Sequence, residues 1–315
     1  MERRDFLKRT GAAATVGAGM SLSGCIGNFG SQAYGNGTVE FMVSPSEPQD
    51  YMRSQYNPYL NYLEGGIEGD TAVEFNYAAD YTAVLQGLGS GTADIAETGP
   101  FAAALGVDAG QCDIALQRHA YGSWDYHSVI ITREDSDIES LTDLEGGKIG
   151  FADMTSASGS LYPLYQLKEA GLSIGDAPTS TSGADFEATW SSHAQAFEAL
   201  QNEQIDAAGV GRFIAWDYGK GDYVEGVREV SRESGIPRAP MIVSPELSEE
   251  EKNAIVTRLE DAPDSAYMGA DGEADTDDDL WFDGVRAADR ETYQPVVDVA
   301  NELGLSTDLL NQGNE

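Results

Sequence analysis

Two rhythms of apolar residues alternate along the chain. Val39 to Val43 and Ala72 to Tyr77 are short runs rich in β-branched and aromatic side chains, as strands are. Between them Tyr56, Tyr59, Leu60 and Leu63 fall at helical spacing, which predicts a helix over 51–64. A second helix is predicted over 81–88, and 90-SGTADIAETGP-100 reads as a short strand ending in a Gly-Pro turn. The alternation then returns. Ser128 to Thr132, Lys148 to Phe151 and Ile205 to Val210 read as strands, interleaved with a helical turn over 141–144 and helices over 158–170 and 194–201. Pro240 to Val243 is a further strand. Ser248, with Glu251 three residues on, forms a capping box that starts a helix running to Leu259. The remainder is expected to be helical apart from one acidic loop.

Strands alternating with helices predict an α/β fold on open sheets, and two such units with a C-terminal return predict two lobes. The expected division is 38–127 plus 226–315 for the first lobe and 128–225 for the second. Ligands of open α/β sheets sit beyond the carboxyl ends of the strands, which here is the cleft between lobes. A length of 315 residues also suits two lobes better than one core.

Charge changes the picture more than composition does. The chain carries 54 acids against 18 lysines and arginines, a formal charge of −36, and the acids are spread throughout rather than gathered in a tail. This reads as a folded protein whose acidic surface suits concentrated salt, since at ~1 M the Debye length is only about 3 Å. Nucleic acid is not expected as a partner, because no basic patch could neutralise its phosphates.

The N-terminus reads 1-MERRDFLKRTGAAATVGAGMSLSGCIG-27. Arg3-Arg4 followed by Asp5-Phe6-Leu7-Lys8 is a twin-arginine export signal. The stretch from Gly11 to Leu22 is too short and too rich in Gly and Ala to span a bilayer permanently. Leu22-Ser23-Gly24-Cys25 has the form of a lipobox, so residues 1–24 are expected to be removed and Cys25 lipidated; an uncleaved signal anchor is the alternative. Residues 25–37 read as a flexible tether. The expected location is the outer face of the cytoplasmic membrane. Cys112 is then the one remaining thiol, which excludes a disulfide framework.

The most unusual stretch is 150-GFADMTSASGSLYPLYQLKEAG-171, where Thr155, Ser156, Ser158 and Ser160 crowd a turn between a strand and a helix. Ser156 or Ser158 is the expected N-cap, and Pro163 falls in or near the first helical turn. A helix start has free N–H groups and partial positive charge, Gly159 permits close backbone approach, and hydroxyls donate further hydrogen bonds. Together these suit a tetrahedral oxyanion. A nucleotide loop is excluded, because no Lys follows Gly159 as a Walker A motif requires.

In order along the chain, 79-ADYTAVLQGLGSGTADIAETGP-100, 126-YHSVIITREDSDIESLTDLEGGKIGFAD-153, the T-S-A-S-G of 155–159, 192-SHAQAFEALQNEQIDAAGV-210 and 236-IPRAPMIVSPELSEEEK-252 resemble the PhnD-type periplasmic binding proteins. These are receptors of ABC importers for phosphate, phosphite and phosphonate, and the likeness covers about Val39 to Leu259. The resemblance implies a two-lobed type II binding-protein fold with a hinge and no cofactor. Its implied partners are a small tetrahedral oxyanion and an ABC permease and ATPase. It further implies that Ser156, Ser158 and Gly159, with Thr155 beside them, hold the anion, helped by His193, Tyr81 and Tyr126. The family threonine between the two serines is Ala157 here. Family members that take aminoalkyl phosphonates place acids where this chain has Phe213 (or Arg212) and Ala239, which argues against an amine-bearing guest.

Other candidates have plainer readings. His119 and His127 are expected to be structural, Arg212 to form a surface salt bridge or face an anion, and 271-DGEADTDDD-279 to be a solvated loop, not a metal site. No G-x-S-x-G elbow and no H-E-x-x-H motif occurs, so no enzyme is expected. The alternatives to import are an anion sensor feeding a kinase and a hydrolase of phosphate esters.

Overall fold

The computed structural model describes residues 37–67, 71–274 and 276–314. The export signal, the Cys25 lipobox and residues 25–36 of the tether lie outside the described residues. In chain order the elements are β1 (Thr38–Val43), α1 (Gln49–Glu64), β2 (Ala72–Tyr77), α2 (Tyr81–Gly89), β3 (Ile95–Glu97), α3 (Pro100–Asp108) and β4 (Asp113–His119). Then come β5 (Asp125–Arg133), β6 (Lys148–Phe151), a wide turn over Ala157–Leu161, α4 (Tyr162–Glu169), β7 (Glu187–Trp190), α5 (His193–Gln201) and β8 (Ala207–Gly211). The chain closes with β9 (Trp216–Asp217), β10 (Asp222–Tyr223), β11 (Val227–Pro237), β12 (Pro240–Val243), α6 (Glu249–Glu260), β13 (Gly284–Ala287) and α7 (Gln294–Leu303).

These strands form two main sheets, ordered β13-β4-β12-β3-β1-β2 and β11-β5-β8-β6-β7, with β9 and β10 as a small separate ribbon. In the first sheet β1 pairs parallel with β2 and β3; in the second β6 pairs parallel with β7 and β8. The chain passes between sheets twice, after β4 and after β11. The two crossovers run side by side: the Arg238 N–H donates to the Trp124 carbonyl at 2.9 Å, and Tyr126 pairs with Ile236.

Each sheet is covered on both faces. Phe41, Tyr56, Tyr59 and Phe282 build one side of the first core, with ring centroids 5.5–6.1 Å apart. The second sheet packs Phe151, Leu164 and Leu167 on one side and Val129, Leu200 and Val210 on the other. Fully burying such side chains contributes about 1.5–3 kcal/mol each. A further cluster crosses the division: Ala157, Leu161 and Tyr162 pack with Phe101, Val296 and Ala300. Among the described residues no helix is long and apolar enough to cross a membrane.

Some elements differ from expectation, for identifiable reasons. Residues 227–237 pair with β5 in the second sheet rather than joining the first, as the boundary at 226 had it. This stretch, VREVSRESGIP, is an edge strand with two register shifts, so its polar positions never show a period of two. β4 hides a buried Arg118 in the sequence DIALQRH, and β13 is a short strand where helix was expected. The helix expected from 158 opens instead as the wide turn of 157–161 before α4 begins.

Candidate ligand-binding site

A cavity of about 180 Å³ opens between the two sheets, and the carboxyl ends of four strands converge on it. β1 delivers Ser44 and Ser46, β3 delivers Glu97 and Thr98, β6 leads to the turn with Ser156 and Ser158, and β8 leads to Phe213. This is where open α/β sheets bind ligands, because side chains there face outward at the switch between crossovers.

The hydroxyl turn is built around one serine. Ser156 is the N-cap, and its Oγ accepts the Gly159 N–H at 3.1 Å. His193 Nε2 lies 3.2 Å from the same Oγ, while His193 Nδ1 accepts the Gly211 N–H at 3.1 Å. An Nδ1 that accepts must belong to a neutral ring whose proton sits on Nε2. That proton therefore points at Ser156 Oγ, which now accepts twice and has its own O–H left to donate. The relay from Gly211 through His193 to Ser156 ends as a donor at the cavity. It also denies the serine a base, since the ring nitrogen facing it already holds a proton.

Burial keeps His193 neutral: it is 4% exposed, and its pKa is pushed down to about 4. The sign of the resulting linkage is definite. Between about 4 and the ordinary 6.5 the unfolded chain binds the proton and the folded chain does not. Stability therefore rises with pH through that window, and acidification through it removes up to ~3 kcal/mol. Denaturant unfolding in high salt, compared between the wild type and His193→Gln, should show this slope in the difference curve.

The remaining hydroxyls divide into two groups. Ser158 lines the cavity, with its carbonyl held by the Ser128 hydroxyl at 2.7 Å. Ser160 Oγ donates to the Asp153 carbonyl at 2.7 Å, and Thr155 Oγ1 donates to Asp153 Oδ1 at 2.7 Å. Both brace the turn, and Thr155, named among the anion ligands, lies beside the cavity and does not line it. Gly159 is likewise behind the wall. Its N–H belongs to Ser156, and a Cβ there would meet Ala152 Cβ and lie 2.7 Å from His193 Cε1. Glycine is needed at that position so that the histidine can come close.

From the first sheet, Tyr81 opens α2 behind an Asp80 N-cap and reaches the cavity. Burial, reinforced by Asp153 and Glu97, keeps its hydroxyl protonated and hence a donor. Tyr126 also lines the cavity. Burial pushes its pKa up to about 12, with the Ser158 hydroxyl and amide close enough to pull the other way. Tyr81, Tyr126, Ser156, Ser158 and His193 thus meet around one space, as do Phe213 and Ala239.

Sequence reasoning missed Arg118 and Arg238 and their partners. Arg118, 1% exposed, forms a buried ion pair with Glu97, donates to the Ala239 carbonyl at 3.0 Å and lies 4.3 Å over the Trp281 ring. Glu97 Oε1 and Thr98 Oγ1 are buried with no protein partner. Arg238 and a stacked pair, Tyr121 on Tyr218 at 3.8 Å, complete the front of the cleft. The signal was available in part: in so acidic a chain, Arg118 in an otherwise strand-like run is out of place on a surface. His119 and His127 pair with Asp283 and Ser234 away from the main cavity. Thr276 and backbone N–H groups bond the carboxylates of the 271–279 loop, and among the described residues no cluster of metal-binding side chains forms. Burial raises the Cys112 thiol to about 12, which leaves it inert.

Two α/β lobes joined by paired crossovers, with fixed donors lining the cleft between them, define a two-lobed binding protein of the type II periplasmic fold. Comparison with known proteins agrees. The sequence model of the family described as "ABC transporter, phosphonate, periplasmic substrate-binding protein" matches residues 41–293, and the chain belongs to that family. It is 31% identical over 174 residues to the phosphate-import protein PhnD of Mycolicibacterium smegmatis, covering 54% of each chain. It is 30% identical over 176 residues to the phosphonates-binding periplasmic protein of Escherichia coli, covering 54% of this chain and 49% of that one. The matched region thus spans about half the length of these relatives. Among solved structures, the binding protein component of an ABC phosphonate transporter from Pseudomonas aeruginosa is similar at TM-score 0.66 and 23% identity, covering 88% of this chain and 89% of that one. PhnD1 from Prochlorococcus marinus in complex with methylphosphonate is similar at TM-score 0.69 and 15% identity, covering 85% and 98%. These last two likenesses speak for the fold. The family is one of substrate-binding transport proteins, not enzymes.

Proposed function

We propose that this chain captures a phosphorus oxyanion outside the cell and delivers it to an ABC permease. The observation that carries this reading is the relay from Gly211 through His193 to Ser156, which fixes one hydroxyl as a donor beside Ser158, Tyr81 and Tyr126. Donors set in place before the ligand arrives lose little entropy on binding, and closing the lobes strengthens each hydrogen bond to charged oxygen by excluding water. The unpartnered Glu97 Oε1 adds an acceptor, which suits a guest that retains one acidic hydrogen. Closure follows binding because the anion touches both lobes only in the closed form, so its affinity differs between states.

In this reading the twin-arginine signal exports the folded chain, Cys25 carries the lipid anchor, and the acidic surface keeps the protein soluble in brine. Long-range repulsion of the anion by a charge of −36 is confined by salt to a few ångströms.

Calorimetric titration in high salt against phosphate, phosphite, methylphosphonate, sulfate and 2-aminoethylphosphonate tests the proposal. At least one phosphorus oxyanion should bind well above sulfate. The aminoethyl compound should bind more weakly than methylphosphonate, since Phe213 and Ala239 offer its ammonium no carboxylate. No heat with any phosphorus anion would sink the reading. Tight binding of 2-aminoethylphosphonate would sink the part that rests on Phe213 and Ala239.

A further inference from the structure

In a chain with 54 acids and 18 lysines and arginines, a buried guanidinium should have no difficulty finding a carboxylate. Arg118 has Glu97, Arg232 has Glu229 and Arg290 has Asp108. Arg53, Arg212, Arg228, Arg238, Arg258 and Arg286 take part in none of the ion pairs among the described residues, and of these Arg212 and Arg238 line the pockets of the cleft. Both sit at the front of the cleft. Arg238, 6% exposed, lies on the second crossover. Its Nε donates to the Ser123 carbonyl at 2.9 Å, and its own carbonyl accepts the Tyr293 hydroxyl at 2.8 Å. Beyond the Ser123 carbonyl the guanidinium meets aromatic rings and hydroxyls: Tyr121 at 5.5 Å, Tyr126 at 6.0 Å and the Tyr218 side chain. Arg212 lies 4.3 Å over the Trp216 ring, and its Nε is buried with no partner in the protein.

The two arginines line a small pocket of about 60 Å³, together with His127 and an exposed Asp125 that pairs with neither. Arg238, Tyr121, Tyr126 and Phe213 line both this pocket and the main cavity, so the two spaces adjoin. The positive field is felt locally, since burial and then Arg212, Arg232 and Arg238 lower the pKa of His127. A buried cation without counter-charge, as Arg238 is beside the half-buried Arg212, is costly unless a ligand completes it, and a guanidinium fork matches a planar carboxylate in two-point fashion.

We propose that Arg238 and Arg212 form a second anion subsite, and that the guest is a phosphonate whose short tail ends in a carboxylate. The proposal rests on the oxyanion reading above: the phosphonate occupies the Ser156, Ser158 and His193 end, and the carboxylate reaches past Tyr126 and Phe213 to the guanidinium groups. The main cavity has room for this, since 180 Å³ holds on the order of ten water-sized groups, more than a bare tetrahedral anion fills.

The test is calorimetric titration of the full chain in high salt with methylphosphonate and with phosphonoacetate, which differ by the carboxylate. Phosphonoacetate should bind roughly tenfold or more tightly, as one added charge-assisted contact gives. In Arg238→Met, and in the more exposed Arg212→Met, the ratio of the two affinities should fall toward one, with Arg238→Lys restoring part of it. Thermal melts of each variant confirm that it is folded, and Arg212→Met decides the matter if Arg238→Met is not. Equal affinities in the wild type, or a ratio that survives both substitutions, would overturn the second subsite and leave the oxyanion receptor standing. Binding of neither compound would overturn both.

Discussion

Arg118→Met should lower the unfolding free energy by about 3–5 kcal/mol, the usual effect of removing one partner of a buried ion pair. Arg118 is enclosed by Glu97, the Tyr56 hydroxyl at 3.3 Å, the Ala239 carbonyl and the rings of Trp281 and Phe282. Met can fill much of that volume, but it strands the Glu97 carboxylate without a cation in a buried place. The double variant Glu97→Gln with Arg118→Met removes both charges and should recover much of the loss. Guanidinium unfolding of the two variants in high salt separates the effects. Equal destabilisation in both would mean that lost packing, not the stranded charge, is responsible. Since Glu97 and Ala239 line the cavity, the single variant should also loosen its floor.

Replacing Ser156 and Ser158 together by Ala should weaken anion binding by about 3–6 kcal/mol, a hundredfold or more, if each hydroxyl donates to a charged oxygen. Ser156 contributes through the O–H that its two incoming donors leave free, and Ser158 through a hydroxyl that lines the cavity. Ser160→Ala is the informative control. That hydroxyl is spent on the carbonyls of Ala152 and Asp153, so its loss should appear in thermal stability before it appears in affinity. Calorimetry on all three proteins checks this, and an unchanged affinity in the double variant would remove the turn from the site.

Much of the architecture is legible in residue order because it depends on local signals. The Ser248–Glu251 capping box, the helical spacing of Tyr56, Tyr59 and Leu63, and the β-rich runs all act over a few residues, and each formed where it was expected. The hydroxyl turn was legible as a cluster, but its division of labour was not. Whether Thr155 faces Asp153 or a guest depends on how the backbone turns between them, and composition does not encode that. The His193 tautomer depends on Gly211, 18 residues away in sequence and adjacent only once β8 pairs with β6. Arg118, Glu97 and Arg238 come from three distant strands and crossovers, so only the assembled sheets place them in one wall.

The apolar cluster that joins Ala157, Leu161 and Tyr162 to Phe101, Val296 and Ala300 takes in the apolar side of the hydroxyl turn itself. A seam of that kind resists wetting, because water there would expose oily surface from both sides at once. The turn that presents Ser156 and Ser158 is therefore backed by a water-excluding seam, which holds the two hydroxyls in place from behind.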